Sequence, residues 1–172
     1  MMKGYIQIYT GNGKGKTTAA FGLALRAAGA GQRVFIGQFV KGKTYSEIEA
    51  VRKHLPEIEI EQFGRGCFIV DAPQQEDIDL ARQGLKRMAD ILKAGRYDVV
   101  VLDEVFIAIY FKLFSSVDLI QAVKGRAEHT EVILTGRYAP HEILDMADLV
   151  TEMKEIRHYY NTGVQARKGI EH

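Results

Sequence analysis

The sequence predicts an α/β fold, a mostly parallel sheet of about six strands with helices on both faces. Three observations carry that prediction. Short apolar runs alternate with helical stretches along all 172 residues. One run, Val99-Val100-Val101-Leu102, is apolar without interruption, as a parallel strand covered on both faces requires. A glycine-rich segment, Thr10-Gly11-Asn12-Gly13-Lys14-Gly15-Lys16-Thr17-Thr18, joins a strand to a helix. Right-handed crossovers would bring every strand's C-terminal end to one rim, where open α/β sheets bind ligands.

The elements follow in order. Tyr5-Ile6-Gln7-Ile8-Tyr9 alternates as strand one, and Ala19 to Leu25 continues the small-residue helix that the glycine segment opens. Gly29-Ala30-Gly31-Gln32 is a turn, and Arg33 to Phe39 is strand two. A short helix runs to His54 and stops before Pro56. Ile58 to Phe63 alternates with period two as strand three. Pro73 and Gln74-Gln75-Glu76 open a long helix to about Ala94, which Gly95 ends. Tyr97 to Leu102 is strand four. Val105 to Phe114 reads as one buried helix, with Phe106, Tyr110, Phe111 and Phe114 as core at helical spacing. Ser115-Ser116-Val117-Asp118 starts a helix that ends at Gly125. Glu131 to Gly136 is strand five, Pro140-His141-Glu142 opens another helix, and Asp148 to Met153 is strand six. The tail from His158 to His172 is expected to close over the rim. There is no internal repeat or interdomain linker, so residues 1–172 are read as one domain.

Bulk properties narrow the function. Hydrophobic residues make up 47% and charged residues 26%, with a net charge of +1, so a broad nucleic-acid or membrane-surface partner is not expected. A single cysteine permits no internal disulfide, and no signal peptide is read at the N-terminus, which together suit a cytoplasmic protein. Apolar runs broken by Asp103 and Glu104 fall far short of a membrane span.

Strand, glycine loop and Lys16-Thr17 at a helix start form the layout of a phosphate-binding loop. Glycines let several backbone N–H groups face one anion, and the helix N-terminus adds partial positive charge. Lys16 would reach the outer phosphates and the Thr17 hydroxyl would bind Mg²⁺. Thr10 stands where the general pattern has glycine, and Gly11, Gly13 and Gly15 supply the missing freedom. A dinucleotide fingerprint fits poorly, because its third glycine would fall at Lys16. Asp103-Glu104 at the end of strand four resembles an acidic strand end that holds Mg²⁺, directly or through water. Glu104 would orient water in a hydrolase, or position metal or substrate in a transferase. Solvated carboxylates capping the next helix are the plain alternative. Cys67 is most simply a packing residue, and the five histidines show no metal-ligand spacing.

These motifs together resemble the ATP:corrinoid adenosyltransferases of the cob(I)alamin or cob(I)yrinic acid a,c-diamide type. The resemblance rests on Thr10 to Thr18, Asp103-Glu104, Leu134-Thr135-Gly136-Arg137, Ala147 to Glu152 and Gly163 to Glu171. Thr10 is the family's usual residue. The family implies a RecA-like P-loop fold, a homodimer, ATP with Mg²⁺, and a corrinoid whose cobalt(I) attacks the 5′ carbon of ATP and expels triphosphate. It implies Lys16 and Glu104 as catalytic, the stretch Thr10 to Thr18 with Arg137 as ATP-binding, and Thr17, Asp103 and Glu104 as metal ligands. Arg65, Cys67 and Phe68 fall at the corrinoid, and a reductase such as a flavoprotein supplies the electron. Many members have Phe-Thr-Trp where this chain has Cys67-Phe68-Ile69, so Phe68 is expected to take only part of their role in displacing cobalt's lower base. Longer members cover the corrinoid with an N-terminal extension. Here the lid is expected to be shorter or to come from the tail. A P-loop kinase or ATP hydrolase, and a non-enzymatic nucleotide-binding regulator, are the competing readings.

Overall fold

The computed structural model describes residues 3–43, 45–65, 69 and 72–171. Its strands are β1 (Ile6–Thr10), β2 (Val34–Phe39), β3 (Ile58–Phe63), β4 (Val99–Asp103), β5 (Glu131–Thr135) and β6 (Leu149–Glu152). Its helices are α1 (Lys16–Gly29), α2 (Ser46–His54), α3 (Gln75–Ala94), α4 (Val105–Tyr110), α5 (Ser116–Lys124) and α6 (His141–Leu144). The sheet has six strands in the order β3-β2-β4-β5-β1-β6, and all its pairings among the described residues are parallel. This is the expected α/β architecture, consistent with a RecA-like P-loop fold.

Side-chain alternation along the strands feeds two cores. Val34, Ile36, Val99, Val101 and Ile133 face α1 and α2, and pack on Ala20, Ala24, Ala27 and Val51. Phe35, Phe39, Val100, Leu102, Val132 and Leu134 face the other helices, including Leu85, Met88, Leu92, Leu119 and Ile143. Chain direction explains the split. From β1 the chain moves to β2 and β3 toward one edge, then returns through β4 and β5 to β6 at the other. With the crossover hand fixed, reversing direction moves the helices to the opposite face. The alanines of α1 let that helix sit close against the sheet. In α3, Gly84 serves the same purpose, because a Cβ there would lie 2.4 Å from Cγ of Phe63.

Several boundaries depart from the sequence expectation. The helix expected to run to Phe114 ends at Tyr110. The Leu113 amide donates to the Ala108 carbonyl at 3.0 Å, and Lys112 takes a φ of 57°, so the chain turns sharply there. That turn drops Leu113 and Phe114 into the core, where Phe114 meets Phe39 edge-on at 5.5 Å. Tyr110 is not core: it is 58% exposed and stacks on Tyr138 at 4.6 Å. Strand six is short and wholly exposed, because it pairs with β1 alone among the described elements. No helix of the described residues is long and apolar enough to cross a membrane.

Candidate active site

The glycine loop leaves β1 at Thr10 and enters α1 at Lys16. Its position is set by the strand beyond it. The Gly13 amide donates to the Met153 carbonyl at 2.6 Å, and the Met153 amide to Thr10 at 2.8 Å. Gly11 has a φ of +95°, and a Cβ on it would lie 2.5 Å from the Met153 oxygen, so glycine is required there. Gly15, also left-handed at φ 116°, precedes α1, and neither a side-chain cap nor an acidic residue occupies the helix's first turn. The first amides of α1 are therefore open to an external anion. The Lys16 ammonium lies back inside the loop, donating to the Gly11 and Gly13 carbonyls at 2.8 and 2.7 Å. Burial is the main influence on it and lowers its pKa, with Arg137 adding to the effect against Glu104 and Asp103.

Asp103 sits at the centre of a polar ladder across the sheet's C-terminal rim. It is fully buried at the end of β4, and the register places Gln38 of β2 beside it. Gln38 is paired in turn with Gln62 of β3. Gln62 donates to the Gln38 carbonyl oxygen at 3.1 Å, and Gln38 to Asp103 Oδ2 at 3.0 Å. From the β5 side, the Thr135 hydroxyl donates to Asp103 Oδ1 at 2.7 Å and accepts from the Glu104 amide at 3.0 Å. The Thr17 hydroxyl of the loop donates to the same Oδ1 at 2.9 Å. Lys41 completes the set, with its ammonium 2.9 Å from Oδ2. Burial by itself would raise the Asp103 pKa. The Lys41 charge and the hydroxyls of Thr135 and Thr17 outweigh it and hold the carboxyl below the ordinary range.

Glu104 behaves in the opposite way. Burial, and then its neighbour Asp103, push its pKa up, against Lys41, Lys16 and Arg137. Two adjacent carboxyls are thus driven apart in acidity, a pattern that clusters at functional sites. Backbone strain lies at the same rim. Val40 beyond β2, Glu104 beyond β4 and Tyr138 beyond β5 all have positive φ, at 59°, 57° and 64°. A β-branched residue in that region is a true outlier, costing about 1–3 kcal/mol. The turn at Val40 brings Lys41 back over the end of β4.

The loop, Lys41 and Glu104 open onto a cleft of ≈ 820 Å³. Lys14, Lys16, Lys41, Lys43 and Arg137 line it, against Glu47, Glu104 and Glu171. The excess of cations around uncapped helix amides suits a polyanion with an organic part attached. The pattern that describes the family ATP:corrinoid adenosyltransferase BtuR/CobO/CobP matches residues 2–172.

The chain belongs to the ATP:corrinoid adenosyltransferase family.

It is therefore a transferase, and the competing kinase or hydrolase reading is not favoured. Similar proteins include the corrinoid adenosyltransferase CobA of Salmonella typhimurium, 36% identical over 176 residues, 99% of this chain and 86% of the relative. The corrinoid adenosyltransferase of Escherichia coli K12 is 35% identical over 99% of this chain and 86% of its own length. That of Sinorhizobium sp. is 33% identical over 98% of this chain and 80% of its own.

Within this adenosyltransferase-family chain, most residues singled out from sequence converge. Thr10, Gly11 and Asn12 open the same loop but do not line the cleft. Gly13 to Thr18, Glu104 and Arg137 line the cleft, and Asp103 lies buried behind Thr17. Arg65 does not line the cleft. Its guanidinium forks onto Asp77 at 2.6 and 2.8 Å and reaches Gln74 at 2.8 Å, which pins the start of α3. Cys67 and Phe68 lie outside the described residues.

Sequence reasoning gave Gln38, Lys41 and Thr135 no individual role in the site. A glutamine inside the otherwise apolar β2 was the available signal. The tail does close over one side of the cleft, through His158, Ala166, Gly169, Ile170 and Glu171. Its tether is Lys14, which donates to Glu171 at 2.7 Å, to the Ile170 carbonyl at 2.9 Å and to the Tyr159 hydroxyl at 3.1 Å. Bonds from Arg167, Lys14 and Tyr159 hold the Glu171 carboxyl well below its usual pKa. Glu171→Gln should release residues 158–171, seen as faster amide exchange and earlier proteolytic cleavage there, with little change in overall melting. Unchanged protection of the tail would refute the tether.

Proposed function

We propose that this protein transfers the 5′-deoxyadenosyl group of ATP to the cobalt(I) of a corrinoid, releasing triphosphate. The observation that supports it most is the cleft's construction, in a chain of this family. Open amides at the head of α1, Lys16 and Thr17 meet a buried acidic strand end across the same opening. The cobalt(I) electron pair forms the cobalt–carbon bond at C5′. The C5′–oxygen bond breaks, and its electron pair leaves with the triphosphate. No general base is needed, so the protein's tasks are alignment and stabilisation of the leaving group.

Lys16 exchanges its two loop carbonyls for outer phosphate oxygens, and the amides of Lys14 to Thr18 hold the inner ones. Arg137 reaches the phosphates from β5, and the whole loop from Thr10 to Thr18 is the nucleotide cradle. Glu104, held more weakly acidic than its neighbour, lines the cleft as a positioning group for the reacting partner.

The donors here also fit Mg²⁺. Thr17 and Asp103 offer hard oxygens side by side, and a cation, the Lys41 ammonium, already stands 3.4 Å from one and 2.9 Å from the other. When bound, the ion neutralises charge on the departing triphosphate.

Arg65, Cys67 and Phe68 are assigned to corrinoid binding, with Arg65 also holding the start of α3 through Asp77. A reductase, such as a flavoprotein, supplies the electron that makes cobalt(I). The protein works in the cytoplasm as one domain and as a homodimer. The exposed edge of β6, with Leu149 44% and Val150 48% exposed, is a surface that a second copy would cover.

One assay tests the reaction. ATP, Mg²⁺ and a chemically reduced corrinoid should yield the adenosylated product's spectrum and free triphosphate in equal amounts. Release of ADP or orthophosphate without cobalt alkylation would overturn it. Phe68→Ala should harm turnover from cob(II)alamin with a reductase more than turnover from pre-reduced cobalt(I). Equal losses would remove Phe68 from displacement of the lower base.

A further inference from the structure

The ammonium of Lys41 occupies a position of unusual chemical definition. It touches Asp103 Oδ2 at 2.9 Å and Thr17 Oγ1 at 3.4 Å, the two oxygens expected to hold a divalent cation. Asp103 already accepts from Thr17 and Thr135 on one oxygen and from Gln38 and Lys41 on the other. Two acceptor sites on each oxygen are therefore filled. Neither oxygen can ligate a metal until one donor leaves. Gln38 is locked by Gln62 and the sheet register, and Thr135 is fixed by the Glu104 amide. Thr17 is itself one of the two expected ligands, so Lys41 is the donor that must go: it sits on a loop, has a long flexible stem, and lines the cleft. Its ring neighbour is Tyr45, with the ammonium 5.7 Å from the ring centroid, and the facing carboxylates are Glu47 and Glu104.

We propose that Lys41 is a place-holder for the divalent cation, neutralising Asp103 before nucleotide arrives. It then swings into the cleft to contact the departing triphosphate. This rests on the Mg²⁺ reading above. It gives the protein a balanced buried charge in both states. An uncompensated Asp103 would be costly in either, because a buried carboxylate without a partner loses its hydration and gains nothing in return.

The test uses Lys41→Met, which keeps stem length and removes charge, with MgCl₂ alone and with inorganic triphosphate as probes. Without Mg²⁺ the variant should melt about 6 °C or more below the parent protein. Mg²⁺ alone should restore much of that loss in the variant while shifting the parent little. The variant's Mg²⁺ affinity should be about tenfold tighter, since a competing cation is gone. At saturating Mg²⁺ the variant should bind triphosphate about tenfold more weakly, having lost one charged contact. Equal melting of the two proteins, or an equal response to Mg²⁺, would overturn the place-holder. Unchanged triphosphate binding would overturn the second position. Triphosphate binding indifferent to Mg²⁺ in both proteins would overturn the metal reading itself, and the inference with it.

Discussion

Lys16→Ala should lower the rate of corrinoid adenosylation by about 10²–10³, the loss of roughly 3–4 kcal/mol of transition-state stabilisation. Charge accumulates on the triphosphate as the C5′–oxygen bond breaks, and Lys16 is the cation set among the loop amides. An interaction that strengthens in the transition state lowers kcat and kcat/KM together. A rise in the KM for ATP with kcat unchanged would show instead that Lys16 only binds the ground state. The variant should remain folded, because Lys16 and Gly13, one of the two residues whose carbonyls it leaves, line an open cleft from which water can enter in its place. Far-ultraviolet circular dichroism and the melting curve check this. Burial lowers the Lys16 pKa, so activity should fall on the alkaline side before the ordinary lysine range is reached. An alkaline limb at or above that range would place the titration elsewhere.

Asp103→Asn should destabilise the fold by about 3–5 kcal/mol, the cost of breaking a buried ion pair at one partner. The new amide keeps one acceptor oxygen for Gln38 and Lys41 but carries no charge to match the Lys41 ammonium, and its NH2 displaces the hydrogens that Thr17 and Thr135 donated. Adding Lys41→Met should recover part of the loss, because the stranded ammonium is gone. A double-mutant cycle reads that coupling directly, and strict additivity would show that the two side chains do not interact.

The pH dependence has a definite sign. A carboxyl held below its ordinary pKa stabilises the fold above the ordinary value, and the contribution is lost as pH falls through the depressed one. Lys41 shows the mirror behaviour. Burial lowers its pKa, but Asp103 and Glu104 more than offset that and raise it, so its contribution is present at neutral pH and disappears above the ordinary lysine range. Urea midpoints should therefore drop on the acid side in the parent protein and flatten in Asp103→Asn. A parallel acid limb in both would assign the loss to other carboxylates.

The distribution of errors in the sequence reading has a physical origin. Strands and long helices were legible because their signals are local, with period two in β3 and start and stop residues, Pro73 and Gly95, bracketing α3. The end of α4 was not legible, because Val105 to Phe114 is apolar throughout and only the space beneath Phe39 decides that Phe114 folds back. Tyr110 was misplaced for the same reason: helical spacing says which residues share a face, not what lies opposite that face.

For the site, the sequence by itself determined the glycine loop, the lysine and threonine at the head of α1, and the acid that closes β4. Each depends on a few consecutive residues whose backbone demands are local. Only the tertiary structure decided what surrounds Asp103. Lys41 and Gln38 reach it from 62 and 65 residues away, and Thr135 from 32. Those meetings follow from strand order and register, set by how two cores pack on a sheet and not by any short stretch of chain. The tail's hold on Lys14 spans 157 residues and belongs to the same class. The order of residues thus supplied the glycine loop and its acid, and the packing of the sheet chose which lysine meets that acid.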